Sequence, residues 1–216
     1  EADFAALAGS AADAILLPKL RSAQDAARGV ALAAGKPLWV MIETPQAVLH
    51  AEQIAATPGV AALVAGFNDL ALELRARPAP GRQPMHYAMA QIVLAARAAG
   101  IFAPDGVHDR IDDPEGLAAE AQQAADFGFD GKSVIHPAQI APVNAAFTPG
   151  PEEVEHARGV IAAHRDAAAQ GRHVATFRGR MVEVLHVLQA EHTLKIAELA
   201  GEMGGLAEKV IEVATE

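Results

Sequence analysis

The sequence of 216 residues has no cysteine, one tryptophan and one tyrosine, and aromatic residues make up only 4% of it. A chain without cysteine has no disulfide, no thiolate nucleophile and no zinc–thiolate site. It also lacks an apolar run long enough to span a bilayer, and its amino terminus carries no signal-peptide pattern. These absences predict a soluble, cytoplasmic protein.

Basic residues are also in deficit, since 17 lysines and arginines face 27 aspartates and glutamates, for a formal net charge of −10. Nucleic-acid binding needs a positive surface that displaces counterions, so the composition argues against it. Alanine, in contrast, is abundant, with 51 residues in a sequence that is 51% hydrophobic. This composition favours closely packed helices around a sizeable core.

Five short apolar runs alternate with alanine-rich stretches of helical character. The stretches that predict helices are Ser22–Ala34, Ala47–Ala56, Leu70–Leu74, His86–Ala99 and Pro114–Phe127. A polar or charged residue follows each run. Short buried strands that alternate with helices predict successive β–α units on a parallel sheet, and therefore an α/β fold. The five runs are Ala14–Leu17, Leu38–Ile42, Val60–Ala65, Ile101–Ala103 and Ser133–Ile135.

The alternation ends near Pro149. We therefore assign residues 1–149 to part of a barrel and residues 150–216 to a C-terminal helical extension. In the extension, Pro151–Ala169 predicts a long helix whose acidic first turn suits the helix dipole. A short extended segment follows, and further helices are expected from about Arg180 onwards.

In parallel α/β folds, functional residues collect at the carboxyl ends of the strands. The residues at these positions are Lys19, Glu43, Asp69, Asp105 and His136. One helix and one strand separate Glu43 from Asp69, so we expect the two carboxylates on adjacent strand ends. Two carboxylates, completed by water and substrate oxygens, are a usual magnesium site. The alternative is that each carboxylate caps the helix after it, and the sequence leaves both open.

Three other residues have either a catalytic or binding role or an ordinary role at the protein surface. Glu183 and His186 lie three residues apart, on one face of a helix expected to start near Met181, and form either an acid/base pair or a surface contact. Lys19 either contacts an anionic substrate or is a solvated charge. The sequence has no GxGxxG, Walker A or GxSxG motif, which removes the usual support for redox-dinucleotide, phosphate-loop and serine-hydrolase functions.

A set of short motifs occurs in the order known from one family and covers the chain up to about Leu199. Each motif alone is weak, whereas the ordered set is specific. The chain resembles the citrate lyase β-subunit group of the HpcH/HpaI aldolase superfamily, which includes malyl-CoA and citramalyl-CoA lyases. The motifs are Ala14–Lys19, Ile42–Thr44, Gly66–Leu70, Ala95–Ile101, Asp105–Val107, Asp113–Leu117, Gly128–Pro137, Phe147–Pro149 and Gly179–Met181.

The resemblance implies a TIM-type (β/α)8 barrel with additional C-terminal helices, assembled as a homotrimer or homohexamer. It begins at the family's fourth strand, so this chain is expected to show about the last five strands, without the first third that supplies substrate-binding arginines. Four apolar residues at helical spacing predict a stripe that must be buried, against a neighbouring subunit or against the same chain. They are Met181, Val184, Leu185 and Leu188.

The resemblance also implies roles for individual residues. Glu43 and Asp69 match the family's magnesium ligands, and the backbone N–H groups of Asn68 and Asp69 are expected to hold a substrate carboxylate. Many relatives read Gly-x-Met-Ile-Asp near the C-terminus, and that aspartate enters a neighbouring subunit's site as the acid/base. Glu183 stands at its place here, one methylene longer, and His186 is a second candidate for the proton transfer.

The function implied by the resemblance is a Mg2+-dependent carbon–carbon lyase. Its substrate would be a 3-hydroxyacyl-CoA thioester of the citryl-, malyl- or citramalyl-CoA type, cleaved to acetyl-CoA and an oxo acid, with Lys19 as a basic residue near the CoA nucleotide. Two alternatives stay open: a CoA-independent class II aldolase of the same superfamily, and a non-catalytic truncated homologue or assembly subunit.

Overall fold

The computed structural model describes residues 2–215, and for residues 202–215 the backbone alone. The chain divides into two compact units, Glu1–Val143 and Asn144–Glu216. This division falls slightly before residue 149, where the sequence analysis places the end of the barrel part. Among the described residues, no helix combines the length and the apolar character that crossing a membrane requires.

The first unit is built on parallel strands. β1 (Ile15–Leu17), β2 (Leu38–Ile42) and β3 (Val60–Ala65) form a sheet in that order. β4 (Pro104–Asp105) and β5 (Gly131–Lys132) form a second parallel pair. A parallel bridge between Ala62 and Phe102 links the segment before β4 to β3. The carboxyl ends of successive strands therefore meet at one edge, as the sequence predicts.

The fourth and fifth strands do not coincide with the apolar runs that predict them. β4 (Pro104–Asp105) begins after the run Ile101–Ala103, and β5 (Gly131–Lys132) ends before the run Ser133–Ile135. Both actual strands end in a charged residue whose side chain is buried in an ion pair, which apolar patterning cannot detect. Beyond Lys132 the chain turns, and Val134 and Ile135 are exposed.

Helices follow the strands, and most lie where the sequence predicts. The helices of the first unit are α1 (Ala2–Ala8), α2 (Ala23–Leu32), α3 (Pro45–Leu49), α4 (Ala51–Ala55), α5 (Phe67–Leu74), α6 (His86–Ala99), α7 (Pro114–Phe127) and α8 (Ile140–Phe147), the last of which continues into the second unit. α6 and α7 have the predicted bounds, whereas the predicted helix Ala47–Ala56 is divided at His50, which serves as C-cap of α3 and N-cap of α4. α5 begins at Phe67, three residues before the predicted Leu70.

The second unit consists of two long helices and a hairpin. α9 (Pro151–Ala169) has the predicted bounds, and β6 (Ala175–Phe177) pairs antiparallel with β7 (Arg180–Val182) before α10 (Val184–Thr215). Small side chains form its core, which allows close packing. The buried residues are Ala157, Val160, Ala167, Ala175, Val182 and Ala190.

The start of the last helix is a correction to the sequence analysis. Met181 lies in β7 rather than at the start of a helix, because Arg178 and Gly179 take left-handed conformations and close a tight turn. Glu183 lies between β7 and α10, and the helix begins at Val184. A strand and a helix therefore carry the four apolar residues that were expected as one helical stripe, and all four side chains are exposed.

Candidate metal and substrate site

Three predicted site residues meet at the carboxyl ends of β1, β2 and β3. The backbone N–H of Lys19 donates a 2.7 Å hydrogen bond to Glu43 Oε1. The Nζ of Lys19 lies 2.6 Å from Asp69 Oδ1 and 3.7 Å from Glu43 Oε2. Two acidic side chains and one cation thus form a compact cluster, as expected from the strand order.

Local backbone geometry explains how the two carboxylates come so close. Gly66 lies directly after β3, and a Cβ at this position would be 2.5 Å from Glu43 Cβ and 3.1 Å from Glu43 Oε2. Glycine is therefore required here for close approach between neighbouring strand ends. Lys19 has φ 59°, a left-handed conformation that is uncommon for a residue with a side chain.

The proposal that the carboxylates serve as helix caps is wrong. Thr44 is the N-cap of α3, and its hydroxyl oxygen accepts a hydrogen bond from the Ala47 N–H. Gly66 is the N-cap of α5, and Asp69 lies within the first turn of that helix. Since neither Glu43 nor Asp69 holds a cap position, their carboxylate oxygens are directed to the cluster with Lys19.

The cluster is half-buried, and its groups perturb one another. The side chain of Glu43 is 3% exposed, whereas those of Asp69 and Lys19 are 46% and 56% exposed. Burial raises the pKa of Glu43, against the hydrogen bond from the Lys19 N–H. The hydrogen bond with Lys19 lowers the pKa of Asp69 and raises that of Lys19. The two carboxylates therefore differ in their readiness to lose a proton.

The donor set fits magnesium, which prefers oxygen ligands and keeps part of its hydration shell. Within the described residues, no group of three or more His, Asp or Glu side chains is arranged for a metal. Glu43 and Asp69 would therefore need water and substrate oxygens to complete a coordination sphere. The first intrahelical bond at the start of α5 runs from the Leu70 N–H to the Gly66 carbonyl. The N–H groups of Asn68 and Asp69 thus have no partner within the helix, and Asn68 is exposed.

Asp105, also expected at this edge, belongs to a separate buried network. Its side chain is 0% exposed and accepts hydrogen bonds from Arg82 Nη1 at 3.0 and 2.8 Å and from Lys132 Nζ at 2.9 Å. Both oxygens of Asp105 are thus bound by cations of this network and not by the cluster around Lys19. His136 is not in either cluster, since its Nδ1 accepts a hydrogen bond from the Ala138 N–H and caps a short 3-10 helix.

The partners of Asp105 in this network carry no signal in the sequence pattern. Glu120 Oε2 lies 3.4 Å from Lys132 Nζ and 3.2 Å from His108 Nδ1, and the Glu120 carbonyl accepts a hydrogen bond from Arg82 Nη2 at 3.1 Å. His108 is buried, and its Nε2 has no hydrogen-bond partner among the described residues. Arg82 lies in an irregular 3-10 segment, Pro80–Met85, so no periodic pattern points to it.

Glu183 and His186 lie in the second unit and are in contact with each other. The Glu183 N–H donates a 3.0 Å hydrogen bond to His186 Nδ1, which caps the first turn of α10. The predicted pairing through the two side chains on one helix face is therefore replaced by a backbone-to-ring bond. A groove of about 930 Å³ in the same unit is lined by His186 together with Arg178, Arg180 and His156.

Comparison with known proteins shows the family. Residues 1–137 match the family model described as HpcH/HpaI aldolase/citrate lyase. A (3S)-malyl-CoA thioesterase of Cereibacter sphaeroides is 47% identical over 197 residues, which are 91% of this chain and 69% of the relative. An L-malyl-CoA/beta-methylmalyl-CoA lyase of Rhodobacter capsulatus is 34% identical over 210 residues, covering 89% of this chain and 65% of the lyase.

A solved structure agrees with the family match. Protein CitE from Mycobacterium tuberculosis, in complex with magnesium, acetoacetate and coenzyme A, superposes with a TM-score of 0.79 and 36% sequence identity. The match covers 91% of this chain and 73% of that chain. The α/β fold is thus of the TIM-barrel type found in this superfamily, and the resemblance inferred from the motifs is confirmed. This chain belongs to the HpcH/HpaI aldolase/citrate lyase family.

Proposed function

We propose that this protein is a Mg2+-dependent enzyme that acts on a 3-hydroxyacyl-CoA thioester bearing a carboxylate, of the malyl-CoA class. The observation that carries the proposal is the meeting of Glu43 and Asp69 beside the N-terminus of α5. The sequence identity to relatives described as a malyl-CoA thioesterase and a malyl-CoA lyase supports the substrate class. We further infer that β1–β5 correspond to strands four to eight of the family's barrel.

In this proposal Glu43 and Asp69 hold the metal, and the backbone N–H groups of Asn68 and Asp69 donate to the substrate carboxylate. When bound, Mg2+ would polarise the substrate's oxygen atoms and stabilise the negative charge that develops during cleavage. Glu43 is kept in place by the Lys19 N–H and by its position against Gly66. Lys19, with an exposed ammonium at the rim, is a candidate contact for an anionic part of the substrate.

Carbon–carbon cleavage is the reaction we propose first. Two carboxylates with a metal suit the breaking of a carbon–carbon bond, because that reaction builds negative charge on an enolate oxygen. The proposal is supported by the lyase from Rhodobacter capsulatus at 34% identity. The products would be acetyl-CoA and an oxo acid.

Hydrolysis of the thioester is the second candidate. It is favoured by the 47% identity to relatives described as (3S)-malyl-CoA thioesterases. In this reaction water replaces the thiol at the carbonyl, and the products would be malate and free CoA.

Incubation with malyl-CoA and Mg2+, followed by chromatography of the products, tests both reactions. Carbon–carbon cleavage yields acetyl-CoA and glyoxylate, whereas hydrolysis yields free CoA and malate. Glu43→Gln and Asp69→Asn should abolish either reaction, and Asp130→Asn, which alters the partner of Arg97 away from the cluster, should not. Turnover that survives both site variants, or that proceeds equally in excess EDTA, contradicts the proposal.

Proton transfer is assigned in this proposal to Glu183 of a neighbouring copy, with His186 as the second candidate, in a homotrimer or homohexamer. The exposure of Met181, Val184, Leu185 and Leu188 supports an interface, since burial of a large apolar side chain is worth about 1.5–3 kcal/mol. Mixing Glu43→Ala protein with Glu183→Ala protein should restore activity through hybrid sites. If subunits exchange and no activity returns, a site shared in this way is wrong.

A further inference from the structure

The ammonium of Lys19 contacts both carboxylates that the proposed function assigns as metal ligands. Its ammonium is 2.6 Å from Asp69 Oδ1 and 3.7 Å from Glu43 Oε2. A magnesium ion binds carboxylate oxygens at about 2.0–2.1 Å and carries two charges. Because like charges repel strongly at such short separations, an ammonium in contact with these oxygens opposes the binding of a divalent cation to them.

Lys19 is attached to the cluster in two ways that can be separated. Its backbone N–H donates to Glu43 Oε1 at 2.7 Å and is present whatever side chain the residue carries. Its ammonium contacts the carboxylates from a side chain that is 56% exposed. The side chain can therefore leave the carboxylates for solvent while the backbone bond continues to orient Glu43.

Lys132, in the network around Asp105, is a lysine whose side chain is fixed by burial and by several hydrogen bonds. Its side chain is 0% exposed, and its ammonium binds the Gly106 carbonyl at 2.7 Å in addition to Asp105 and Glu120. Withdrawing this ammonium would leave buried polar groups without partners. Lys19 has no such constraint, because its contacts are with carboxylates that a metal would satisfy.

We propose that the Lys19 side chain is a built-in competitor for the metal: its ammonium neutralises Glu43 and Asp69 in the metal-free protein and is displaced when a divalent cation binds. This inference rests on the proposed function, since it takes the two carboxylates as metal ligands. It follows that the affinity for Mg2+ is lower than the two carboxylates alone would provide.

The test is a calorimetric titration of the full chain with Mg2+ alone, without substrate. Lys19→Met and Lys19→Gln remove the ammonium and keep the backbone N–H, and both should bind Mg2+ about two- to fivefold more tightly, the effect expected for loss of exposed ion pairs. Lys19→Arg keeps a cation and should stay near wild type. Lys36→Met is the matched charge control, because Lys36 precedes β2 at the end away from Glu43 and donates to the Ser10 carbonyl.

The outcomes separate this inference from the proposed function. Tighter binding in both Lys19→Met and Lys19→Gln, with Lys36→Met unchanged, supports the competition. If wild type binds Mg2+ and the two neutral variants bind it equally or more weakly, the competition is wrong and the metal site stands. If wild type does not bind Mg2+, the proposed function fails and this inference fails with it.

Discussion

Two carboxylate clusters stand at the same sheet edge of the first unit, and they differ in what surrounds them. Asp105 is 0% exposed and is bound by Arg82 and by Lys132, whose side chain is also 0% exposed. Asp69 is 46% exposed and meets the ammonium of Lys19, which is 56% exposed. Both lie at or just beyond the carboxyl end of a parallel strand, so position in the fold alone does not distinguish a carboxylate held in a buried ion-pair network from one whose cation partner is exposed.

The two clusters differ in whether the cation paired with the carboxylate can move away into solvent. Removing a cation from the Asp105 network would leave a buried charge unpaired, which is costly. Removing the Lys19 ammonium leaves Asp69 in contact with water and Glu43 open to another cation. An arrangement of this second kind can bind and release a ligand, whereas the first kind holds strands β4 and β5 and the loops around them in place.

The largest effect is expected for Asp105→Leu, which leaves Arg82 and Lys132 without their shared carboxylate. The free energy of unfolding should fall by about 3–5 kcal/mol, as measured for broken buried ion pairs, and urea denaturation provides the measurement. The double variant Asp105→Leu/Lys132→Met should lose less free energy of unfolding than the two single variants lose together. A single-variant loss below about 1 kcal/mol, the range of exposed pairs, would remove the distinction between the two clusters.

A smaller effect is expected for Gly66→Ala, because the new methyl would lie 2.5 Å from Glu43 Cβ. Displacement of Glu43 should weaken Mg2+ binding and lower the free energy of unfolding by about 1–3 kcal/mol, the cost of overpacking. Gly131→Ala is the matched control, since an added Cβ there has no atom within 4 Å. Equal behaviour of the two variants in titration and denaturation would contradict the close-approach argument.

The pH dependence of stability distinguishes the two carboxylates of the open cluster. Burial raises the pKa of Glu43 above the ordinary 4.5, so the metal-free folded state holds a proton that the unfolded chain has lost. Its contribution therefore makes the free energy of unfolding decrease as pH rises from 4.5 towards the raised pKa. Asp69, with a lowered pKa, contributes stability above 3.8 that is lost as pH falls through its folded pKa.

Urea denaturation across this pH range, in EDTA, measures the prediction. Glu43→Gln should reduce the decrease in the free energy of unfolding above pH 4.5, and Asp69→Asn should reduce the loss at lower pH, to which Asp25 also contributes. Asp130→Asn, on another part of the sheet domain, should leave both features of the curve. An unchanged profile in Glu43→Gln would contradict the assignment of the raised pKa to this residue.

The smallest effect is expected for Asp69→Asn on stability alone. Because its ion pair with Lys19 is exposed, the change in the free energy of unfolding near neutral pH should stay below about 1 kcal/mol. Thermal and urea denaturation measure it. A loss as large as that of Asp105→Leu would show that the open cluster is structural too.

Much of the fold and part of the site could be predicted from the sequence because they depend on local pattern. Helices α6, α7 and α9 have the predicted bounds, and the strand order placed Glu43 beside Asp69. The two strands whose bounds differ from the prediction, β4 and β5, contain buried charged residues. A pattern of apolar residues cannot predict that Lys132 is buried.

Contacts between distant segments account for what could not be predicted. Asp105 was grouped with the other rim residues because Arg82, which neutralises it, comes from an irregular segment with no signature. Glu183 was assigned to a helix because the hairpin depends on left-handed conformations at Arg178 and Gly179, and only glycine suggests this from sequence. The role of Gly66 became visible only when its neighbour across the sheet was known.

The most direct test of the account is calorimetric titration of Mg2+ into wild type, Asp69→Asn and Asp130→Asn. Asp130 is a matched acidic residue that pairs with Arg97 away from the cluster. Wild type and Asp130→Asn should bind Mg2+ with equal affinity. Asp69→Asn should lose more affinity for Mg2+ than the roughly 10–100-fold that is lost when an outer-shell partner of a metal ligand is mutated. Binding by Asp69→Asn at wild-type affinity would show that Glu43 and Asp69 are not the metal site.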